Sequence, residues 1–196
     1  MYKLCKTERS AARQRELELA LLDAMSKRRF EDITVSELCD SIGVPRKAFY
    51  RYFDSKEGSL RALIDHTLTE FEGKSPSYDI KRHRSLTQDI ERFFLFWQAN
   101  KPLLAALDKN GLFSHLIDAA LDFPIKDMIS LEKFLPDDSA PMRQSVFKFA
   151  ICGLMFTMLS WYKSGFAETP REMAKAACRM LSRPLFPNLD KIGILE

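Results

Sequence analysis

One segment of the chain, residues 34–57 (TVSELCDSIGVPRKAFYRYFDSKE), restricts the fold more than any other. The residues at its expected helix starts and ends each have a strong preference for that position. Thr34 followed three residues later by Glu37 makes a capping box, which starts a helix. Gly43 suits the left-handed residue that ends a helix, and Pro45 suits the first position of the next one. The segment therefore predicts two short helices joined by a glycine turn.

The second of these helices, predicted over 45–53, separates apolar side chains from basic and phenolic ones. Ala48, Phe49 and Phe53 fall on one face and are expected to pack inward. The side chains left pointing outward are Arg46, Lys47, Tyr50 and Arg51. A short exposed helix that carries cations and hydroxyls has the right size to enter the major groove of DNA.

This pattern resembles the DNA-binding region of the TetR/AcrR family of bacterial regulators. The positions that match the family are Thr34, Gly43, Val44, Phe49, Tyr50, Phe53, Ser55, Lys56 and Glu57. The resemblance is specific over the first third of the chain and is one of layout beyond it. Arg29 stands where the family usually has a glycine after helix 1, so the turn before Phe30 is expected to be built differently.

The resemblance implies that this region binds a double-stranded DNA operator. Arg46 and Lys47 are placed to reach base edges, where Arg or Lys to guanine is the commonest specific contact. Arg51 suits bases or phosphates, and an arm over Lys3–Arg9 could lie along the backbone or minor groove. The residues expected to bind DNA or to present these groups are Thr34, Pro45, Arg46, Lys47, Tyr50, Arg51, Tyr52 and Lys56. Among them the implied phosphate ligands are Thr34, Tyr50, Tyr52 and Lys56.

The composition is that of an ordinary soluble protein and favours no other function. A net charge of +3 is too small for binding nucleic acid by charge alone, so DNA binding depends on where the cations lie. The sequence has no glycine-rich phosphate loop, no metal-ligand cluster and no paired nucleophile and base, which predicts no enzyme activity, no cofactor and no metal site. The four cysteines lack paired spacing, and free thiols in a reducing cytoplasm are expected.

Helical periodicity runs through the whole chain and is broken at Gly or Pro, which predicts an all-α fold. Residues 1–54 are expected to form a three-helix helix-turn-helix head, and residues 55–196 a six-helix body for ligand binding and dimerisation. The body helices are predicted over 55–72, 86–108 with a break at 100–102, 112–122, 125–135, 142–164 and 170–183. The last of them begins with a second capping box, Thr169 to Glu172. Residues 73–85 and 135–141 are expected to connect helices.

The helix predicted over 142–164 is apolar almost all round, so it needs cover on more than one side. Lys148 interrupts its apolar run, which favours a buried helix over a membrane span. Small residues on it, with small or apolar residues on the last helix, predict a two-fold dimer built as a four-helix bundle, as the resemblance also implies. The alternative is that this stripe packs within one subunit. The predicted interface residues are Ala150, Gly153, Thr157, Ser160, Ala174, Ala177, Cys178 and Leu181.

The body is also rich in aromatic side chains and methionine, which would line a pocket for an apolar or aromatic inducer or simply form the core. His115 and Gln98 are expected to face inward and orient a ligand. The predicted ligand-binding residues are Phe93, Phe96, Trp97, Phe113, His115, Phe147, Ile151 and Met155. The expected function is a repressor released by such an inducer. The alternative is an activator or co-activator that works through a protein partner, and a non-specific architectural DNA protein is disfavoured by the mild charge.

Overall fold

The structure, a computed structural model, describes residues 1–73, 85–122 and 139–182. Within these residues it contains nine helices and no β-strand, apart from an isolated bridge between Tyr2 and Phe53. The predicted all-α fold is confirmed. The helices are α1 (Glu8–Lys27), α2 (Val35–Ser41), α3 (Arg46–Phe49), α4 (Lys56–Gly73), α5 (Leu86–Ala99), α6 (Lys101–Lys109), α7 (Phe113–Asp122), α8 (Ala140–Lys163) and α9 (Pro170–Ser182).

The described helices pack into two units. The first contains α1 to α4 together with α6 and α7, and the second contains α5, α8 and α9. This grouping divides the chain differently from the predicted boundary between residues 54 and 55, which stays a prediction about function. The helix predicted over 125–135, the loop predicted over 73–85 apart from its ends, and most of the turn over 135–141 lie outside the described residues.

Both predicted capping boxes form. The Thr34 hydroxyl accepts a hydrogen bond from the Glu37 backbone N–H at 3.3 Å, while Glu37 Oε2 accepts one from the Thr34 N–H at 2.9 Å. The same reciprocal pair links Thr169 and Glu172 at the start of α9. Each pair satisfies backbone donors that the first turn of a helix leaves without intrahelical partners.

In the first unit, α1 packs on α4 through an apolar stripe and one buried ionic group. The apolar side chains include Leu17, Leu21 and Met25, all fully buried. Glu18 is also fully buried, and its carboxylate accepts from Arg15 Nη1 at 3.0 Å and lies 2.9 Å from Nδ1 of His66 on α4. A buried carboxylate is costly without partners, so the contact with His66 favours one packing of α1 on α4.

In the second unit, α5 packs against α8 and α9 around a core of aromatic rings. Phe94 and Trp161 are fully buried and meet edge to face, with ring centroids 5.3 Å apart. The indole N–H of Trp161 donates to the Glu168 carbonyl at 2.9 Å, so the polar end of this buried ring has a partner.

The helix α8 is covered along one face. Met155, Met158 and Trp161 are buried, and the large apolar side chains that stay exposed are Met142, Val146, Phe149 and Phe156. By length and composition this helix, over Pro141–Lys163, could also cross a membrane, a test that core helices of soluble proteins pass as well. Within the described residues, the apolar surface of α8 is therefore only partly covered.

Candidate nucleic-acid interface

The α2 and α3 helices are joined by the predicted glycine turn. Gly43 has a φ of +64°, the left-handed conformation that glycine adopts without penalty. Its N–H donates to the Asp40 carbonyl at 3.2 Å, and the Val44 N–H donates to the Cys39 carbonyl at 2.9 Å. These bonds close the end of α2 and turn the chain into α3.

The α3 helix is shorter than predicted. The sequence predicts a helix over 45–53, but α3 ends at Phe49, and Tyr50 is its C-cap. The Tyr52 N–H donates to the Phe49 carbonyl at 2.9 Å, an i to i+3 bond that tightens the last turn. The Phe53 N–H donates to the same carbonyl at 3.0 Å, and beyond it the Asp54 N–H pairs with the Met1 carbonyl at 3.1 Å.

Four side chains form an exposed surface at α3, here named the reading edge: Arg46, Lys47, Tyr50 and Arg51. Arg46 Nη2 donates to the Tyr50 hydroxyl at 3.1 Å, and its guanidinium carbon lies 5.6 Å from the centre of the Tyr50 ring. On the opposite face, Phe49 and Phe53 are fully buried, with their ring centroids 5.0 Å apart. The anchored face fixes the direction in which the reading edge points.

Two residues expected to hold phosphate make contacts within the chain. Lys56 Nζ donates to the backbone carbonyls of Phe30, Glu31 and Ile33, with distances of 3.1 Å to Glu31 and 2.8 Å to Ile33. Tyr52 is buried, with 7% of its surface exposed. The role of both residues as phosphate ligands stays a prediction.

Thr34 and Pro45, the remaining residues of the predicted set, lie at helix starts. Thr34 is exposed, and its hydroxyl donates to Glu37 Oε2 at 2.8 Å as part of the capping box. Pro45 is the N-cap of α3, one position earlier than predicted. Both residues shape the backbone that presents the reading edge.

The N-terminal arm folds back onto the chain that follows α3. The Lys3 N–H donates to the Tyr52 carbonyl at 2.9 Å, and the Asp54 N–H donates to the Met1 carbonyl at 3.1 Å. A side chain at Gly58 would collide with the Met1 backbone, so this glycine is needed for the close approach. The arm thus braces the end of α3, a role that the basic residues of the arm do not reveal.

The capping box of α2 also binds a cation. Arg28 Nη1 donates to Glu37 Oε1 at 2.7 Å, joining the end of α1 to the start of α2. This bond from Arg28, followed by the bonds from the Thr34 N–H and hydroxyl, lowers the pKa of Glu37 from its ordinary 4.5 to about 2. The carboxylate therefore stays charged at neutral pH.

We expect Glu37→Gln to reduce the dependence of thermal stability on pH in the acidic range. A lowered pKa in the folded state stabilises the fold above the unfolded value of 4.5, and this contribution is lost as pH falls toward about 2. In thermal melts, the gap in Tm between wild type and variant should be present at pH 7 and close near pH 2. Glu172→Gln is the matched comparison, because Glu172 lies in the second capping box and its pKa is lowered mainly by hydrogen bonds from Thr169. This variant should show a smaller gap in Tm. A Glu37→Gln gap that stays constant over this range would contradict the assignment.

The residues predicted to bind a ligand are divided between the two units. Phe96 and Trp97 on α5 are buried and pack edge to face, while Phe93 on the same helix is half-buried. Among the others in the second unit, Met155 is buried and Phe147 and Ile151 are half-buried.

The two predicted ligand residues in the first unit lie on opposite sides of α7. Phe113 is buried, but His115 is exposed, which corrects the expectation that its imidazole faces inward. Phe113 and Leu116 occupy the buried face of this helix, and His115 falls on the other side.

The residues predicted to form the dimer interface differ in exposure. On α8, Gly153 and Ser160 are exposed and Ala150 and Thr157 are half-buried. On α9, Leu181 is exposed and Cys178 is half-buried, with its thiol 3.3 Å from the Thr87 hydroxyl.

For Ala174 and Ala177 of α9, the prediction that they lie at the dimer interface needs correction. Both are buried within the single chain, where α9 packs on α5, so they cannot lie on a face open to a second copy. Met142, Val146 and Phe149, which were not among the predicted interface residues, are exposed, and their spacings of four and three residues place them on one stripe with Gly153.

Comparison with known proteins agrees with this geometry. Residues 20–63 match the family described as bacterial regulatory proteins, tetR family. Over 74 residues the chain is 32% identical to the HTH-type transcriptional regulator EthR of Mycolicibacterium smegmatis, a match that covers 36% of this chain and 34% of that protein. The chain thus spans about a third of the length of this curated relative.

Solved structures with a similar fold include two bacterial regulators. One is the fatty acid degradation regulator FadR from Bacillus halodurans, with a TM-score of 0.57, 17% identity and coverage of 93% of this chain and 98% of that one. The other is a tetR-family transcriptional regulator from Streptomyces coelicolor, with a TM-score of 0.56, 19% identity and coverage of 87% and 79%. At such identities the likeness concerns the fold alone. The chain is thus similar to bacterial regulatory proteins of the tetR family in its helix-turn-helix over residues 20–63, and to solved tetR-family regulators in its fold.

Proposed function

We propose that the protein is a DNA-binding transcriptional regulator that acts as a homodimer in the cytoplasm. The observation that carries this proposal is the reading edge, four exposed cationic or phenolic side chains on α3 and the turn that follows it. The opposite side of this segment is anchored by two fully buried rings, Phe49 and Phe53. A rigid, basic protrusion of this size fits the major groove.

Within the reading edge, Arg46 and Lys47 contact base edges, and Tyr50 and Arg51 contact phosphates. The bond between Arg46 and the Tyr50 hydroxyl holds the guanidinium in place before DNA arrives. Fixing a long side chain in advance reduces the entropy lost on binding. Tyr50 therefore supports sequence reading in addition to holding phosphate.

A second copy of the chain binds along the exposed stripe of α8. Met142, Val146, Phe149 and Gly153 follow one another at alternating spacings of four and three residues, the pattern of a helix-to-helix seam. Phe149 is 69% exposed, an unusual state for a phenylalanine in a soluble protein. Because the net charge is only +3, one reading edge binds weakly, and two copies on successive major grooves, about 34 Å apart, supply the affinity.

The regulator acts as a repressor that an apolar or aromatic small molecule releases from DNA. The aromatic and methionine side chains of the second unit, among them Phe96, Trp97 and Met155, offer such a molecule a matching lining. Native mass spectrometry of freshly purified protein tests this, and an adduct of apolar character is expected. Reporter output from the neighbouring promoter distinguishes repression from activation. Activation is the role named for a protein of similar fold, the dihydroxyacetone kinase operon activator DhaS.

The direct test is selection of bound duplexes from a random library. We expect wild type to enrich a near-palindromic site, and Arg46→Ala to change the preferred base at the position it contacts, since a bidentate Arg contact discriminates by about 1–3 kcal/mol. Arg51→Ala serves as the comparison, because it removes a proposed phosphate contact and should weaken binding to all duplexes more evenly. An unaltered selection profile for Arg46→Ala would contradict base reading, and no enrichment by wild type would contradict the proposed function.

A further inference from the structure

The turn between α1 and α2 lacks the glycine that commonly ends a helix. Arg28, the C-cap of α1, is extended, with φ −132° and ψ 169°, and Arg29 follows it. An extended C-cap forms no left-handed closing turn, so the last carbonyls of α1 need other donors. Those of Met25 and Ser26 receive hydrogen bonds from outside the helix.

The donors come from the end of α6. Asn110 Nδ2 donates to the Met25 carbonyl at 3.3 Å, and Lys109 Nζ donates to the Ser26 carbonyl at 2.7 Å. The same Asn110 amide accepts through Oδ1 from the Phe30 backbone N–H at 2.6 Å. Its Nδ2 also donates to the Ala106 carbonyl at 2.7 Å, which ties the amide to its own helix. One side chain thus caps α1, anchors the next turn and is held by α6.

The anchored turn leads directly into the helix-turn-helix. Phe30 is buried and lies three residues before Ile33, which precedes the Thr34 cap of α2. On its other side the turn is held by Lys56, whose ammonium group donates to the carbonyls of Phe30 and Ile33. The turn is therefore fixed both by α4 and by α6, and its position determines where α2 and α3 begin.

We propose that Asn110, assisted by Lys109, is a positioning residue for DNA binding, because it sets where the reading edge stands relative to α6. This inference rests on the proposed function. Removing the Asn110 amide frees the Phe30 N–H and the end of α1, so the start of α2 samples a wider range of positions. DNA affinity then falls although no group that contacts DNA has changed.

The test compares Asn110→Ala with Leu116→Ala. Leu116 is fully buried in α7, so its truncation lowers stability without removing a hydrogen bond to the turn. The probe is the duplex that wild type enriches most from a random library. DNA affinity is measured by fluorescence anisotropy, and exchange of the Phe30 amide by hydrogen–deuterium exchange, at a temperature where both variants are folded.

We expect Asn110→Ala to weaken DNA binding about tenfold. Exchange of the Phe30 amide should become faster by about tenfold or more, because this amide loses one part-buried hydrogen bond. Leu116→Ala should change both by less than about threefold, even at an equal loss of Tm. A milder pair, Lys109→Ala against Lys101→Ala at the other end of α6, should differ in the same direction. Equal affinities for Asn110→Ala and Leu116→Ala would overturn the inference, whereas failure of wild type to enrich any duplex would overturn the proposed function itself.

Discussion

Replacing Phe149 by glutamate should convert the proposed dimer to a monomer. The Phe149 ring is 69% exposed in the single chain and lies in the middle of the α8 stripe, so a second copy would bury it. A carboxylate there loses its water without gaining a partner, at a cost of several kcal/mol. Light scattering should then give the mass of one chain, 22.7 kDa, where wild type gives twice that value. DNA affinity should fall by about a hundredfold or more, because two reading edges no longer bind together.

Gln144→Glu is the matched control for this variant. It adds the same charge to an exposed position one turn away on α8, on the side opposite the stripe. We expect Gln144→Glu to remain a dimer and to bind DNA within about twofold of wild type, as surface changes away from contacts do. A dimeric Phe149→Glu protein would show that copies associate through another surface.

Most helix ends in the described residues could be predicted because local groups set them. Gly43, the Thr34 box and the Thr169 box each act within four residues, and the structure forms all three. The length of α3 could not be predicted in this way. After Phe49 the chain forms i to i+3 bonds from the Arg51 and Tyr52 N–H groups, and the residues that follow pair with Lys3 and Met1, which lie about fifty residues earlier.

The choice of partner for a helix face is a second limit of sequence reasoning. Periodicity showed that the small residues of α9 share a stripe, but it could not show that Ala174 and Ala177 would pack on α5 of the same chain. It likewise placed His115 in an apolar helix without showing which face would be buried. Periodicity identifies an apolar face of a helix. It does not identify the element that packs on that face, because this depends on tertiary packing between segments distant in the sequence.

Lys56→Met should destabilise the fold without removing a DNA contact. The ammonium group donates to three backbone carbonyls, and its nitrogen lies 4.5 Å from the centre of the Phe30 ring. Methionine keeps much of the apolar stem but leaves those carbonyls without this donor. We expect the free energy of unfolding to fall by about 2 kcal/mol and the Tm by about 6 °C.

Arg51→Met provides the contrast, since Arg51 is exposed on the reading edge, where it is proposed to contact phosphate. A cationic side chain that neutralises a phosphate releases counterions on binding, so its loss lowers the salt slope of DNA affinity by about 1 per subunit. We expect that change, with unaltered stability, for Arg51→Met, and the reverse pattern for Lys56→Met. A lowered salt slope for Lys56→Met at wild-type Tm would instead show that Lys56 leaves its three carbonyls to hold phosphate, because one ammonium group cannot satisfy both sets of acceptors at once.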